Sequence, residues 1–167
     1  EPHPAEDHVE GEGGEPAAFL RAANDVACEE IEPGKFVTLL AVVVDVARRE
    51  VTAASAGHPP ARVVDPHGNV TALGGTGLPL GIEPAQEYAG ERAWLERGAV
   101  VVLYTDGVVE ARRDGELYGE ERLDRLVAKG RRLPAQELAE EILADCRAFA
   151  GGELADDCAV VCLKLAR

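Results

Sequence analysis

At 167 residues the chain has the length of one domain with a substantial core. Its 17 basic residues face 31 acidic ones, a net charge of −14, which argues against nucleic acid or an anionic membrane surface as a partner. No apolar stretch approaches the roughly 18 residues that a membrane-spanning helix needs, and no signal-peptide pattern is present.

The four cysteines, Cys28, Cys146, Cys158 and Cys162, lie in apolar patterns without a CxxC pair. They read as buried free thiols of a cytoplasmic protein, not as a metal cluster or a disulfide framework.

Residues 1–15 hold six acidic groups, no basic one, and several Gly and Pro. Such a segment buries too little apolar surface to fold, and it is expected to be a disordered leader, with 16–167 as the folded part. Pro16 opens a predicted helix whose Leu20, Ala23, Ala27 and Ile31 share one face, and Pro33-Gly34 ends it. Phe36–Val46 is nearly continuous apolar and β-branched sequence, so a central strand is expected. Arg48-Arg49 turns it into a second strand, Val51–Ala56, and the two form a predicted antiparallel hairpin.

Gly57-His58-Pro59-Pro60 follows, where two prolines forbid further ladder bonding. His58 either contacts a substrate phosphate or hydrogen-bonds the local backbone. Ala61–Val64 and Val70–Leu73 flank Asp65-Pro66-His67-Gly68-Asn69, which is hairpin-turn chemistry with His67 as a solvated tip residue. Gly74–Gly81 is glycine-rich but lacks the Lys-Ser/Thr of a phosphate-binding loop. It is either a mobile surface loop or one whose backbone must approach a site closely.

Glu87–Leu95 is a weaker strand pattern. Val100–Leu103 then drives a buried strand up to Thr105-Asp106-Gly107. An Asp-Gly at the end of a strand is an ordinary turn signal, but it also presents a carboxylate at the rim of a sheet. Glu120–Lys129 and the segment from Pro134 to Phe149 read as helices, the second buried through Leu138, Ile142, Cys146 and Phe149. The chain ends on Asp156-Asp157 and a predicted strand, Cys158–Leu165. Adjacent carboxylates repel one another unless a cation or a donor network offsets them. With Asp106 at another strand end, a metal site competes with a plain turn.

These segments occur in a telling order: Phe36-Val37-Thr38, Ala56–Pro60, Gly75–Gly81, Leu103–Arg112 and Asp156-Asp157. Together they resemble the PPM-type (protein phosphatase 2C-like) metal-dependent serine/threonine phosphatases, in the bacterial stage II sporulation protein E-like branch. The resemblance implies an α+β fold, an antiparallel β-sandwich flanked by helices in α-β-β-α layers. It also implies two Mn or Mg ions and a bridging water that attacks phosphoserine or phosphothreonine directly. Hard oxygen ligands suit both ions.

By the same resemblance Asp106 and Asp156 match metal ligands. Gly107, Asp157, His58, Gly57 and Gly77 fall in adjoining support or substrate-loop positions. The branch implies sigma-factor partner switching, with a phosphorylated anti-anti-sigma protein as substrate. Two departures stand out. Ala159 replaces the family's usual Thr or Ser, and the early Gly-Asp segment that supplies a bridging ligand has no match in residues 1–15. The chain therefore looks like the C-terminal portion of a catalytic domain, and a catalytically inactive binding or regulatory module is the alternative. A haloacid-dehalogenase-type phosphatase is excluded, because its nucleophilic Asp position holds Tyr104.

Overall fold

The computed structural model describes residues 15–166, so most of the predicted acidic leader lies outside the described residues. In chain order the first elements are α1 (Glu15–Glu30), β1 (Leu39–Asp45), β2 (Glu50–Ala56), β3 (Ala61–Val64), β4 (Val70–Leu73), β5 (Glu91–Trp94) and β6 (Val100–Tyr104). Then come α2 (Asp106–Val109), β7 (Arg112–Arg113), β8 (Glu116–Leu117), α3 (Glu120–Gly130), α4 (Ala135–Phe149) and β9 (Val160–Lys164). They fall into two compact units. The first takes the chain up to Pro60 with Leu73–Trp94; the second takes Ala61–Ala72 and the chain from Leu95.

In the first unit, α1 starts where Pro16 loses nothing by lacking an N–H. It buries Ala17, Leu20, Asn24 and Ala27, spaced three and four apart, against β1 and β2. Ala54, Ala56, Leu80 and Tyr88 complete this small core, whose alanines allow close approach of helix and sheet. Asn24 is fully buried, which sequence periodicity did not indicate. Its amide is matched on both sides: Nδ2 donates to the Glu83 carbonyl at 2.9 Å and Oδ1 accepts from the Gly81 N–H at 3.1 Å.

The sheet has the order β1-β2-β5, and both pairings are antiparallel. The expected hairpin is present, but β1 is an outer strand among the described residues, not the central one its apolar run suggested. Phe36, Val43 and Val46 are exposed at 58%, 40% and 66%. An apolar run reports the capacity to be buried, not the number of neighbouring strands.

The glycine-rich loop is packed on its own unit. A Cβ at Gly77 would collide with the Ser55 carbonyl oxygen and lie 2.8 Å from Tyr88. The Tyr88 hydroxyl donates to the Leu78 carbonyl at 3.1 Å.

In the second unit the sheet order is β4-β3-β6-β9, with β6 interior and antiparallel to both β3 and β9. The β3–β4 turn is held by Asp65, whose Oδ1 accepts from the N–H groups of His67, Gly68 and Asn69. Burial alone would raise the Asp65 pKa, but these bonds and the Asn69 side chain outweigh it and hold the carboxyl below its ordinary value. His67 is exposed at the tip, as expected.

Leu138, Ile142, Cys146 and Phe149 bury one face of α4, which packs on β9 and α3. Gly130 ends α3 where a Cβ would stand 2.7 Å from Leu138, so the two helices meet closely there. The two-residue strands β7 and β8 were not anticipated; Asp114 and Gly115, at φ 52° and 85°, form the turn between them.

One charge is deeply buried. Arg62 on β3 is 2% exposed and pairs with Glu120 at 2.7 Å and Asp124 at 2.9 Å, both on α3. Its guanidinium lies 5.9 Å from the centre of the Tyr104 ring. Burial opposes the Arg62 charge, but Tyr104, Asp124 and Glu120 more than offset it and raise its pKa. Burial also raises the Tyr104 hydroxyl, to about 12.

Candidate functional site

Strand β6 delivers Asp106 at its end, but the Asp-Gly does not form a simple turn. Asp106 and Gly107 open α2, a single helical turn closed by the Glu110 N–H donating to the Asp106 carbonyl at 2.8 Å. Thr105 occupies the cap position, yet its hydroxyl does not cap the helix. It donates to the Asp157 carbonyl at 3.0 Å and accepts from the Ala159 N–H at 2.9 Å. The Thr105 N–H in turn donates to the Ala159 carbonyl at 3.1 Å.

One side chain thus ties the end of β6 to the segment just before β9, and this segment carries Asp156 and Asp157. Ala159 takes part through its main chain alone, which a side chain lacking a hydroxyl does not disturb.

Gly107 explains how close the two segments come. A Cβ on it would lie 2.6 Å from the Asp157 carbonyl oxygen and 3.2 Å from its carbon, both backbone atoms with little freedom to retreat. Gly107→Ala is therefore expected to destabilise the protein by about 1–3 kcal/mol, the usual cost of overpacking, by forcing α2 and the Asp156-Asp157 segment apart. A denaturant titration checks this; Gly107 is not among the glycines of positive φ, so the loss read there reports the steric contact and not a left-handed backbone.

Asp106, Asp156 and Asp157 are all exposed. Asp106 Oδ1 accepts from the Gly107 N–H at 3.0 Å and Asp156 Oδ1 from the Asp157 N–H at 2.7 Å. Each bond fixes a carboxylate by its own neighbour. Thiols are soft ligands and match a hard cation poorly. Burial raises the Cys146 thiol to about 11 and raises Cys158 as well, so both stay protonated at neutral pH.

The donor set at this corner is carboxylate oxygen, which fits a hard cation such as Mg or Mn. Mg in particular is commonly held by one or two carboxylates with water completing the shell. Among the described residues, no group of three or more His, Cys, Asp or Glu is placed to hold a metal ion.

The remaining candidates belong to the first unit. The His58 N–H donates to Ser55 Oγ at 3.0 Å, Ser55 Oγ donates to the His58 carbonyl at 2.7 Å, and the ring Nδ1 stands 3.5 Å from Thr38 Oγ1. Gly57, at φ 70°, packs on Pro79, with its virtual Cβ 2.6 Å from Cγ. Both Gly57 and Gly77 thus make their close approaches to residues of their own unit. Thr105 is the residue that sequence reasoning missed; its signal was a hydroxyl immediately before the Asp-Gly.

The antiparallel sheets and helices match the fold of protein phosphatase 2C-like domains. The family model described as Stage II sporulation protein E (SpoIIE) matches residues 6–166, and the chain belongs to that family.

Phosphoserine phosphatase RsbU of Bacillus subtilis is 27% identical over 161 residues, which is 96% of this chain and 48% of that protein. The chain thus spans about half the length of this curated relative. Among solved structures, the SiaA-PP2C domain of Pseudomonas aeruginosa superposes with a TM-score of 0.75 at 23% identity, covering 90% of this chain and 60% of that one. The Mn-presoaked phosphatase domain of the cell fate determinant SpoIIE from Bacillus subtilis gives 0.66 at 15% identity, covering 95% and 76%. At these identities the structures establish the fold.

Proposed function

We propose that this chain carries part of the active site of a metal-dependent protein serine/threonine phosphatase, with Asp106 and Asp156 as ligands to Mn or Mg. The observation that carries the reading is the Thr105 tie. It joins the two segments that present these carboxylates, although they are about 50 residues apart in sequence. A relative that is a phosphoserine phosphatase, and a structural neighbour soaked with Mn, support the substrate class and the ion.

Bound there, the cation supplies Lewis acidity, neutralising phosphoryl oxygens and lowering the pKa of water. The chain's own part is placement. Thr105 sets the spacing of the segments, Gly107 permits the close approach, and the main-chain N–H groups of Gly107 and Asp157 orient the two carboxylates. Asp157 supports the Asp156 segment through its backbone. The substrate we assign is a phosphorylated protein, of the anti-anti-sigma kind that the branch resemblance implies, in sigma-factor partner switching.

The test is phosphate release from a phosphoserine protein by the natural protein that contains this chain. Turnover is expected with Mn or Mg and none after chelation. Undiminished turnover in chelator overturns the assignment. Tight binding of the phosphoprotein without release, with metal present, favours the regulatory-module alternative instead.

A further inference from the structure

The second unit holds a cleft of about 360 Å³ lined by Pro66, Arg97, Gly98, Arg131, Arg132 and Lys164. Four of these six residues are cationic and none is acidic, on a chain whose net charge is −14. The concentration of positive charge is local and opposes the field of the whole molecule. Among the described residues Arg97, Arg131 and Arg132 form no ion pair with a carboxylate.

Two of the cations are anchored by main-chain carbonyls. Lys164 Nζ donates to the carbonyls of Arg131 and Leu133 at 2.8 and 2.6 Å. Arg131 donates through Nε to Pro66 at 3.0 Å and through Nη1 to Ala128 at 2.7 Å, leaving other guanidinium N–H groups for a ligand. Gly68 brings the β3–β4 turn against this guanidinium, its virtual Cβ 3.5 Å from Cζ. Preset cations of this kind bind anions better than floppy ones, because less side-chain freedom is lost on binding.

The cleft lies away from the carboxylate pair. Arg97 and Gly98 precede β6, whereas Asp106 follows it, and Lys164 pairs with Val100 at the start of that strand. Five residues of strand separate the two ends by roughly 16 Å.

The geometry points to a binding site for a small multivalent oxyanion, of the linked-phosphate class. The volume corresponds to about a dozen waters at ~30 Å³ each, more than one orthophosphate needs. No aromatic side chain lines it, so a nucleobase has nothing to stack on. The inference does not depend on the phosphatase reading, because it concerns the opposite end of the sheet.

Calorimetric titration of the full chain with tripolyphosphate, in chelator and at low salt, tests it. Saturable binding is expected, weakening as salt rises, with orthophosphate at least tenfold weaker (about one charge-assisted contact or more). Arg97→Gln and Arg132→Gln alter exposed side chains and leave the fold intact. Each is expected to weaken binding about tenfold, and Asp106→Asn not at all. The proposal is overturned by any of three results: no saturation up to about 1 mM tripolyphosphate, binding indifferent to both arginine variants, or binding of an oligoglutamate peptide but not of tripolyphosphate.

Discussion

Replacing Arg62 by alanine is expected to lower stability by about 3 kcal/mol, a large share of the roughly 5–15 kcal/mol a domain of this size commands. The side chain is 2% exposed and fills space between β3, α3 and the Tyr104 ring, so its loss leaves both a cavity and a broken ion pair. The figure is set at the low end for breaking a buried pair, because the Glu120 and Asp124 side chains are 54% and 37% exposed and regain water.

Arg62→Met separates the two contributions, since it keeps most of the volume and removes only the charge. Its cost should depend on pH in a definite direction. Burial holds the Asp124 pKa above its ordinary value, with Glu120 adding to the rise and Arg62 pulling against it. A carboxyl raised in the folded state makes that state take up a proton more readily than the unfolded chain. Stability from this group therefore falls as pH rises from the unfolded pKa through the folded one. Without Arg62 the folded pKa rises further and the window widens. The deficit of Arg62→Met should be largest near pH 7 and shrink toward about pH 4, as Asp124 protonates. Urea titrations of both proteins at the two pH values measure this; a deficit that grows on acidification contradicts the account.

Arg62 also marks where sequence reading stopped. It sits in Ala61–Val64, read as one arm of a hairpin, and the hairpin is there; what a strand pattern cannot report is the partner element. Glu120 and Asp124 lie one helical turn apart on α3 and face β3 only because of tertiary packing. The face of α4 was legible, because Leu138, Ile142, Cys146 and Phe149 obey a local period and Pro134 marks the start. β6 was legible for the same reason, being a short apolar run stopped by Asp-Gly.

β1 was misjudged as central because strand burial depends on neighbours that a local window does not contain. Thr105 was overlooked because its bonds reach across 52 and 54 residues, and a threonine before Asp-Gly otherwise reads as a helix or turn cap. The candidate carboxylates themselves stood out as Asp-Gly and Asp-Asp at predicted strand ends, and motif order, a kind of information that periodicity lacks, then matched them to ligand positions.

Asp106→Asn is expected to weaken Mn binding by the chain at least 100-fold while leaving its stability within about 0.5 kcal/mol. The first figure is a lower bound: altering groups that merely orient metal ligands costs about 10–100-fold, and loss of a charged ligand costs no less. The second follows from the surroundings. Asp106 is exposed, and its Oδ1 accepts a hydrogen bond from its own neighbour, Gly107, which the Asn carbonyl can equally accept. A variant that binds poorly yet unfolds normally isolates ligation from folding.

With only two carboxylates contributing, the unmodified chain should bind Mn weakly, so the variant falls beyond the range of direct titration. Electron paramagnetic resonance of free Mn, titrated with protein, reads this without recourse to turnover. Asp156→Asn should match Asp106→Asn. Asp157→Asn should lose far less, because Asp157 serves the site through its carbonyl and N–H. Equal Mn affinity in Asp106→Asn and the parent chain would remove Asp106 from the site, and with it the reason to place a cation at the end of β6.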